Sequence, residues 1–254
     1  MNCVGIDIGS TASKVVVLGE KEIRFVLPTG WSSKDTSRLI KDKLVEAGID
    51  VHDETTKVVA TGYGRVAVEY ADEIITEITC HGRGGRELVG GECGIIDVGG
   101  QDTKVIILEN GMVRDFMMND KCSAGTGKFI EVMANRLGVD LEELFELAKT
   151  GEKVSISSLC TVFAETEIIS HIGEGKKRED LAAGIIDSVA EKVAQLCRRM
   201  GLPETNILTG GLSDNKYFAG ILSKKLRKEV KGTKEGRFAG ALGAALFANE
   251  LVKD

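Results

Sequence analysis

Apolar residues are distributed along the chain in two ways: short β-branched runs broken by glycine turns, and longer stretches with helical spacing. The short runs come as a copied pair. "IDIGSTASKVVVL" (6–18) returns 90 residues later as "IDVGGQDTKVIIL" (96–108), with Ile, Asp, Gly, Lys, Val and Leu in register. Each copy predicts a β-hairpin: an apolar strand, an Asp-x-Gly turn with a few small polar residues, and a β-branched strand leaving it. Between the copies, "DTSRLIKDKLVEAGI" (35–49) has helical spacing and ends at a glycine, "KVVATGY" (57–63) predicts a strand, and residues 65–88 predict a turn and a helix. After the second copy the spacing predicts helices at 126–137, 140–149 and 179–200, then the strand "NILTGG" (206–211). The final "FAGALGAALFANELV" (238–252) predicts an alanine-rich helix whose small residues suit tight packing or a hinge, and the charged run 173–180 predicts a solvated loop.

Composition narrows the class. At 254 residues the chain is long enough for two modest domains, and 43% hydrophobic residues with a mean hydropathy near zero fit a globular protein. No stretch approaches the ~18 apolar residues of a membrane span. The start "MNCVGIDIG" has neither the basic nor the long apolar segment of a secretory leader, so the expected location is the cytoplasm, with reduced cysteines. The six cysteines (3, 80, 93, 122, 160 and 197) form no CxxC pair, which argues against a disulfide framework and a zinc ribbon. A net charge of −6 gives no footprint for nucleic acid. Glycine is the outlier, at 31 residues, against an ordinary share of about 7%. Many backbone positions must turn tightly or approach a ligand.

An isolated Asp-x-Gly is ordinarily just a turn. Its duplication points to a ligand gripped from two sides. Gly9 and Gly99 let the backbone come close, and backbone amides with the hydroxyls of Ser10, Thr11 and Ser13 can donate to phosphate oxygens, with Ala12 and Gly100 in the same turns. Asp7 and Asp97 end their strands and would hold Mg²⁺ through its waters, while Lys14 and Lys104 are candidates to neutralise phosphate. Gln101, in the second turn, is the candidate to orient an attacking water. Among the thiols, Cys3, Cys93 and Cys197 sit in apolar contexts and read as packing. Cys80 stands beside His81, a pairing that suggests a metal. His52 and His171 have no motif around them and read as surface or interface residues.

The double hairpin, "LTGGLSDNKYF" (208–218) and "GALGAALFA" (240–248) resemble the phosphate, adenosine and connecting motifs of the actin, Hsp70 and sugar-kinase ATPase superfamily. The resemblance covers most of the chain. It implies an α/β protein of two duplicated actin-like (ribonuclease H-like) ATPase domains, residues 1–92 plus 238–254 and residues 93–237, closing over Mg·ATP. Gly210, Gly211 and Asn215 would then lie by the nucleotide. A narrower resemblance rests on "GIDIGSTASK", "DVGGQDTK", "NDKCSAGTGKF" and "SSLCTVFAE", in that order: these are similar to the activators of 2-hydroxyacyl-CoA dehydratases, related to the ATPase subunits of benzoyl-CoA reductase.

This resemblance implies a homodimer bridged by one four-iron, four-sulfur cluster, with Cys122 and Cys160 of each chain as ligands. Two-fold symmetry doubles two thiolates to the four that such a cluster usually requires. It implies a ferredoxin or flavodoxin as electron source and a dehydratase or related reductase as acceptor; Cys80 receives no ligand role. Cys122 is expected at a helix N-terminus, with Gly125, Thr126 and Gly127 of the same turn reporting on the nucleotide. The rivals are a small-molecule kinase and a nucleotide-switched protein of the actin or Hsp70 type. The chain displays no sugar-binding insertion or evident catalytic Asp, and the second rival leaves both cysteine motifs unexplained.

Overall fold

The computed structural model describes residues 1–119, 121–156 and 160–252. The first hairpin is β1 (Asn2–Ile8) and β2 (Ala12–Leu18), continued by β3 (Ile23–Pro28); the second is β6 (Gly94–Val98) and β7 (Thr103–Glu109), continued by β8 (Met112–Asn119). Each adds two parallel strands, β4 (Thr56–Thr61) and β5 (Glu73–Ile74) in the first sheet, β9 (Asn206–Gly210) and β10 (Val230–Gly232) in the second. Among the described residues the sheets run β3-β2-β1-β4-β5 and β10-β9-β6-β7-β8, the same order mirrored in the writing. The repeat seen in two hairpins therefore extends to both whole sheets. The central strands are apolar on both faces because helices cover both sides.

Helix α1 (Ser33–Glu46) starts where the Ser32 hydroxyl accepts from the Asp35 amide, and it packs Ile40 and Leu44 on the first sheet. In the second domain α3 (Gly127–Leu137), α4 (Leu141–Thr150), α5 (Thr161–Gly173) and α6 (Arg178–Met200) precede β9, and α7 (Lys216–Leu226) follows it. Capping explains several ends: Asp140 Oδ1 accepts from the Glu143 amide, while Gly138 and Gly201 close α3 and α6 at φ 67° and 66°. The expected helices at 35–49, 126–137, 140–149 and 179–200 are present within a few residues. Residues 65–88 hold a short 3-10 turn, β5 and then α2 (Glu77–Val89). Helix α5 has no helical spacing in its sequence, because Val162, Phe163, Ile169 and Ile172 stay exposed opposite the buried Ala164 and Ile168.

Helices α2 and α8 (Ala239–Glu250) exchange sides. Helix α2 follows the first sheet in sequence, yet its Ile78, Leu88 and Val89 pack on Cys93, Ile95 and Ile106 of the second. Helix α8 ends the chain and lies on the first sheet, with Ala241 and Ala245 against Val16. They cross between the domains at backbone contact: a Cβ on Gly84 would lie 1.9 Å from the Ala239 carbonyl oxygen, and one on Gly243 1.8 Å from that of Cys80. No side chain fits there. The tight packing expected of the small residues in 238–252 is thus realised against α2.

Neither helix backbone can yield locally, so Gly243→Ala must push the helices apart. It is expected to destabilise the protein by about 1–3 kcal/mol or more, read from urea unfolding, whereas Gly220→Ala, which meets nothing within 4 Å on α7, should not destabilise it.

Candidate functional site

Both hairpin turns lie at the carboxyl ends of their central strands, where open α/β sheets offer ligand sites. They face each other directly. A Cβ on Gly100 would fall 2.1 Å from Thr11 Oγ1 and 3.6 Å from Ser10 Oγ, so the second turn closes on the hydroxyl side of the first. Thr29 braces the first turn: its Oγ1 donates to the Gly9 carbonyl at 2.7 Å and pairs with Ser13 Oγ at 2.9 Å. Ser13, which the sequence offers as a phosphate donor, is buried in that brace with its hydroxyl on Thr29. Ser10, Thr11 and Gln101 remain at the turn surfaces, Thr11 and Gln101 exposed.

The register opposes Asp7 to Lys14 and Asp97 to Lys104. Lys14 Nζ is 3.5 Å from Asp7 Oδ2 and keeps partial exposure. Lys104 is buried within a ring of carboxylates, 2.9 Å from Asp102 Oδ1, 3.3 Å from Asp97 Oδ2 and 3.7 Å from Glu77 Oε1. Burial disfavours its charge, but Asp97, Glu77 and Asp102 outweigh that and raise its pKa. Asp97 Oδ1 also accepts from Thr209 Oγ1 at 2.9 Å and lies 3.5 Å from His81 Nε2. Burial alone would raise the Asp97 carboxyl; His81 and Lys104 instead hold it well below the usual carboxylate range. Burial likewise opposes the charge of His81, and Asp97 overrides it and raises the pKa. Glu77 goes the other way: burial pushes it up against the pull of Lys104.

His81, Glu77 and Thr209 belong to this site, although in the sequence Glu77 carries no motif, His81 stands out only for its pairing with Cys80, and Thr209 only as part of "LTGGLSDNKYF". One signal does exist for the Thr positions. "VVATG" (58–62) and "NILTG" (206–210) end alike, and the register sets Thr61 beside Asp7 and Thr209 beside Asp97. Gly62 and Gly210 both take left-handed backbone, φ 85° and 82°, because a Cβ would strike the Ile8 or Val98 carbonyl. Gly211 has open space around its Cα, so a ligand can approach the backbone there. The Asn215 side chain caps α7, with Oδ1 accepting from the Phe218 amide at 2.9 Å.

The second turn is fastened to the cysteine loop. The amides of Gly127 and Lys128, the first of α3, donate to the Gly99 and Gly100 carbonyls at 2.9 and 2.8 Å. Thr103 Oγ1 donates to the Gly125 carbonyl at 2.7 Å, and the Thr126 hydroxyl to the Ser123 carbonyl at 2.6 Å. Here the structure corrects one expectation: α3 begins five residues after Cys122, and its leading amides are spent on the turn, so Cys122 is in a loop and not at the helix start. Cys160 is the residue at a helix N-terminus, the N-cap of α5. Ser123 Oγ and Thr161 Oγ1, neighbours of the two cysteines, share a hydrogen bond of 2.7 Å. Asp120, Ser157, Ser158 and Leu159 of the two cysteine motifs lie outside the described residues.

Cys122 and Cys160 are exposed; Cys3, Cys80, Cys93 and Cys197 are buried. Burial pushes the thiols of Cys80 and Cys197 up to about 12 and that of Cys93 to about 11, which keeps them protonated and inert. Among the described residues no three His, Cys, Asp or Glu side chains gather as a metal cage, and no helix is long and apolar enough to cross a membrane.

Two copies of one α/β unit, joined at crossed helices with paired Asp-Gly turns facing each other, define an actin-like ATPase. The chain belongs to the BadF/BadG/BcrA/BcrD ATPase family, which matches residues 4–248. It is 43% identical over 250 residues to the (R)-2-hydroxyglutaryl-CoA dehydratase activating ATPase of Acidaminococcus fermentans, covering 96% of each chain. The crystal structure of component A of that organism's (R)-2-hydroxyglutaryl-CoA dehydratase superposes with a TM-score of 0.93 at 40% identity, over 100% of both chains. The activator of the 2-hydroxyisocaproyl-CoA dehydratase from Clostridium difficile, solved with bound ADPNP, gives 0.91 at 41% identity, over 100% of this chain and 96% of that one. None of these three relatives bears a kinase name.

Because the turns abut at Gly100, Gly100→Ala should wedge them apart while leaving the sheets intact. ADP affinity by calorimetry is expected to fall about ten-fold or more, about 1.4 kcal/mol, with the unfolding midpoint little changed.

Proposed function

We propose that the chain is an ATP-dependent one-electron donor. It would couple ATP hydrolysis to delivery of a low-potential electron from a four-iron, four-sulfur cluster shared by two copies of the chain. A ferredoxin or flavodoxin would supply the electron, and a 2-hydroxyacyl-CoA dehydratase or related iron–sulfur reductase would accept it. The observation that carries this reading is the chain of hydrogen bonds from the Gly99–Gly100 turn, through the first amides of α3, to the loop of Cys122, which is joined to the N-cap region of Cys160. The names of the relatives, activators of 2-hydroxyacyl-CoA dehydratases, support the acceptor class.

The residues present fit such a cluster. Each chain offers two exposed thiols, one in the loop before α3 and one at the N-cap of α5, bridged by the Ser123–Thr161 bond, and keeps its other four buried, so a symmetric pair of chains supplies four. When bound, the cluster supplies a one-electron couple whose potential responds to hydrogen bonds, charge and solvent exposure. The exposed apolar face of α5, with Val162, Phe163, Ile169 and Ile172, continues from Cys160 and supports a second copy as the neighbour across that surface.

On the nucleotide side, Ser10, Thr11 and the turn amides would hold phosphate, with Lys14 as the accessible cation. Gly211 would admit the adenosine. Lys104 is committed to carboxylates and would act by holding them. The strand-end carboxylates Asp7 and Asp97 fit Mg²⁺ carried by nucleotide, which is usually held by one or two carboxylates, water and phosphate and not by a protein cage. Gln101, exposed at the tip of the second turn, would orient the attacking water. Nucleotide-driven movement of that turn would pull Gly127 and Lys128 and so reach the Cys122 loop. Such coupling requires ATP and ADP to favour different arrangements of the two domains.

Protein purified without oxygen should be brown, with an absorption band bleached by dithionite, and Cys122→Ser and Cys160→Ser should each lose it while remaining folded. Colourless wild-type protein that is intact and still hydrolyses ATP overturns the electron-donor reading. Gln101→Ala should bind ATP normally and hydrolyse it about 10- to 100-fold more slowly in a phosphate-release assay; undiminished turnover removes its role.

A further inference from the structure

The duplicated aspartates have unequal surroundings. Asp97 faces three donors, Thr209 Oγ1 at 2.9 Å, Lys104 Nζ at 3.3 Å and His81 Nε2 at 3.5 Å, and both of its oxygens are engaged. Asp7 has the Lys14 ammonium at 3.5 Å. Thr61, which occupies the place beside Asp7 that Thr209 takes beside Asp97, buries its hydroxyl without a conventional hydrogen-bond partner, against the Cys80 thiol.

The helix crossing explains the difference. Gly84 faces Ala239 and Gly243 faces Cys80, so positions 80 and 84 of α2 correspond to 239 and 243 of α8. Position 81 then corresponds to 240. One is histidine and the other glycine. A Cβ on Gly240 would lie 2.8 Å from His81 Cε1 and 2.9 Å from Asp7 Oδ2. The space that Gly240 leaves beside Asp7 is bordered by the His81 ring, whose Nε2 points to Asp97 while Nδ1 lies 3.0 Å from the Glu77 carbonyl oxygen.

We propose that the two aspartates have divided their work: Asp7 takes the water shell of nucleotide-bound Mg²⁺, and Asp97 is a positioning residue latched by His81 to the helix crossing. Its task is to keep the Gly99–Gly100 turn seated on the first amides of α3. This rests on the nucleotide-site reading above. Asp97 ends β6 two residues before the first of those carbonyls, so a latch on its carboxylate fixes the turn. Of the roughly four acceptor positions of a carboxylate, Asp97 has three occupied and Asp7 one among the described residues, so Asp7 has more left to accept from metal-bound water.

The test measures ADP binding to cluster-free protein by calorimetry, with Mg²⁺ and with a chelator, and takes the ratio of the two affinities. Asp7→Asn should lower that ratio about ten-fold or more, and Asp97→Asn should keep it within about three-fold of wild type while lowering the melting temperature. His81→Ala releases Asp97 and should raise the ratio by about three-fold or more, and His81→Gln, which restores an N–H donor, should return it to the wild-type value. An Asp97→Asn ratio as low as that of Asp7→Asn overturns the division. So does a His81→Ala ratio that is unchanged or lower, and that variant decides the matter if Asp97→Asn does not fold. Wild-type protein whose ADP affinity ignores Mg²⁺ removes the nucleotide-site reading as well, an outcome distinct from either variant result.

Discussion

Helices α2 and α8 pass one another with carbonyl oxygens where side chains would ordinarily be, and the placement of both half-sites follows from that contact. Each helix covers the sheet of the opposite half of the chain, so the crossing is the point where the two halves are held together. Backbone-to-backbone packing has little compliance, because there are no side-chain rotamers to rearrange. A rotation at the crossing must therefore reappear at the turns, which meet at Gly100 and Thr11.

From the second turn the path to the thiols is short and made of hydrogen bonds. The helix N-terminus that might have bound an anion is used to grip the carbonyls of Gly99 and Gly100, and this trades a binding site for a mechanical joint. The loop beyond it carries Cys122, and the Ser123–Thr161 bond joins that loop to the start of α5. The electrostatics concentrate in the same place. His81, Lys104 and Asp97 are buried and the half-buried Glu77 and Asp102 complete one network in which charges are balanced against burial; removing one partner of a buried pair such as Asp97–Lys104 costs about 3–5 kcal/mol. Buried networks of this kind hold a geometry more than they add stability.

Much of this was legible beforehand. The repeated hairpins fixed the Asp and Gly positions because a strand, turn and strand is a local device, and the same residues at the same spacing fold the same way. The four amphipathic helices were legible for the same reason: their apolar stripes follow the 3.6-residue period. Helix α5 was not, since its exposed apolar residues erase the stripe. The dipeptide Thr-Gly at 61–62 and 209–210 was visible as a second repeat, but its meaning depends on strand pairing with β1 and β6. Ser13 and Cys122 show the limit from the other side. A hydroxyl in a turn suggests a phosphate contact and a cysteine before a helical run suggests a helix start, and only packing reveals that Ser13 faces Thr29 and that α3 starts five residues beyond Cys122.

The sequence by itself determined the family, the doubled architecture and the two cysteine motifs, because each is written in contiguous residues whose chemistry is local. The tertiary structure alone decided which members of each repeated pair are alike. His81 meets Asp97, and Gly240 stands in the matching place beside Asp7, through a crossing of helices 159 positions apart in sequence. No periodicity records such a contact, since it arises from the closure of two domains and not from the order of residues within either.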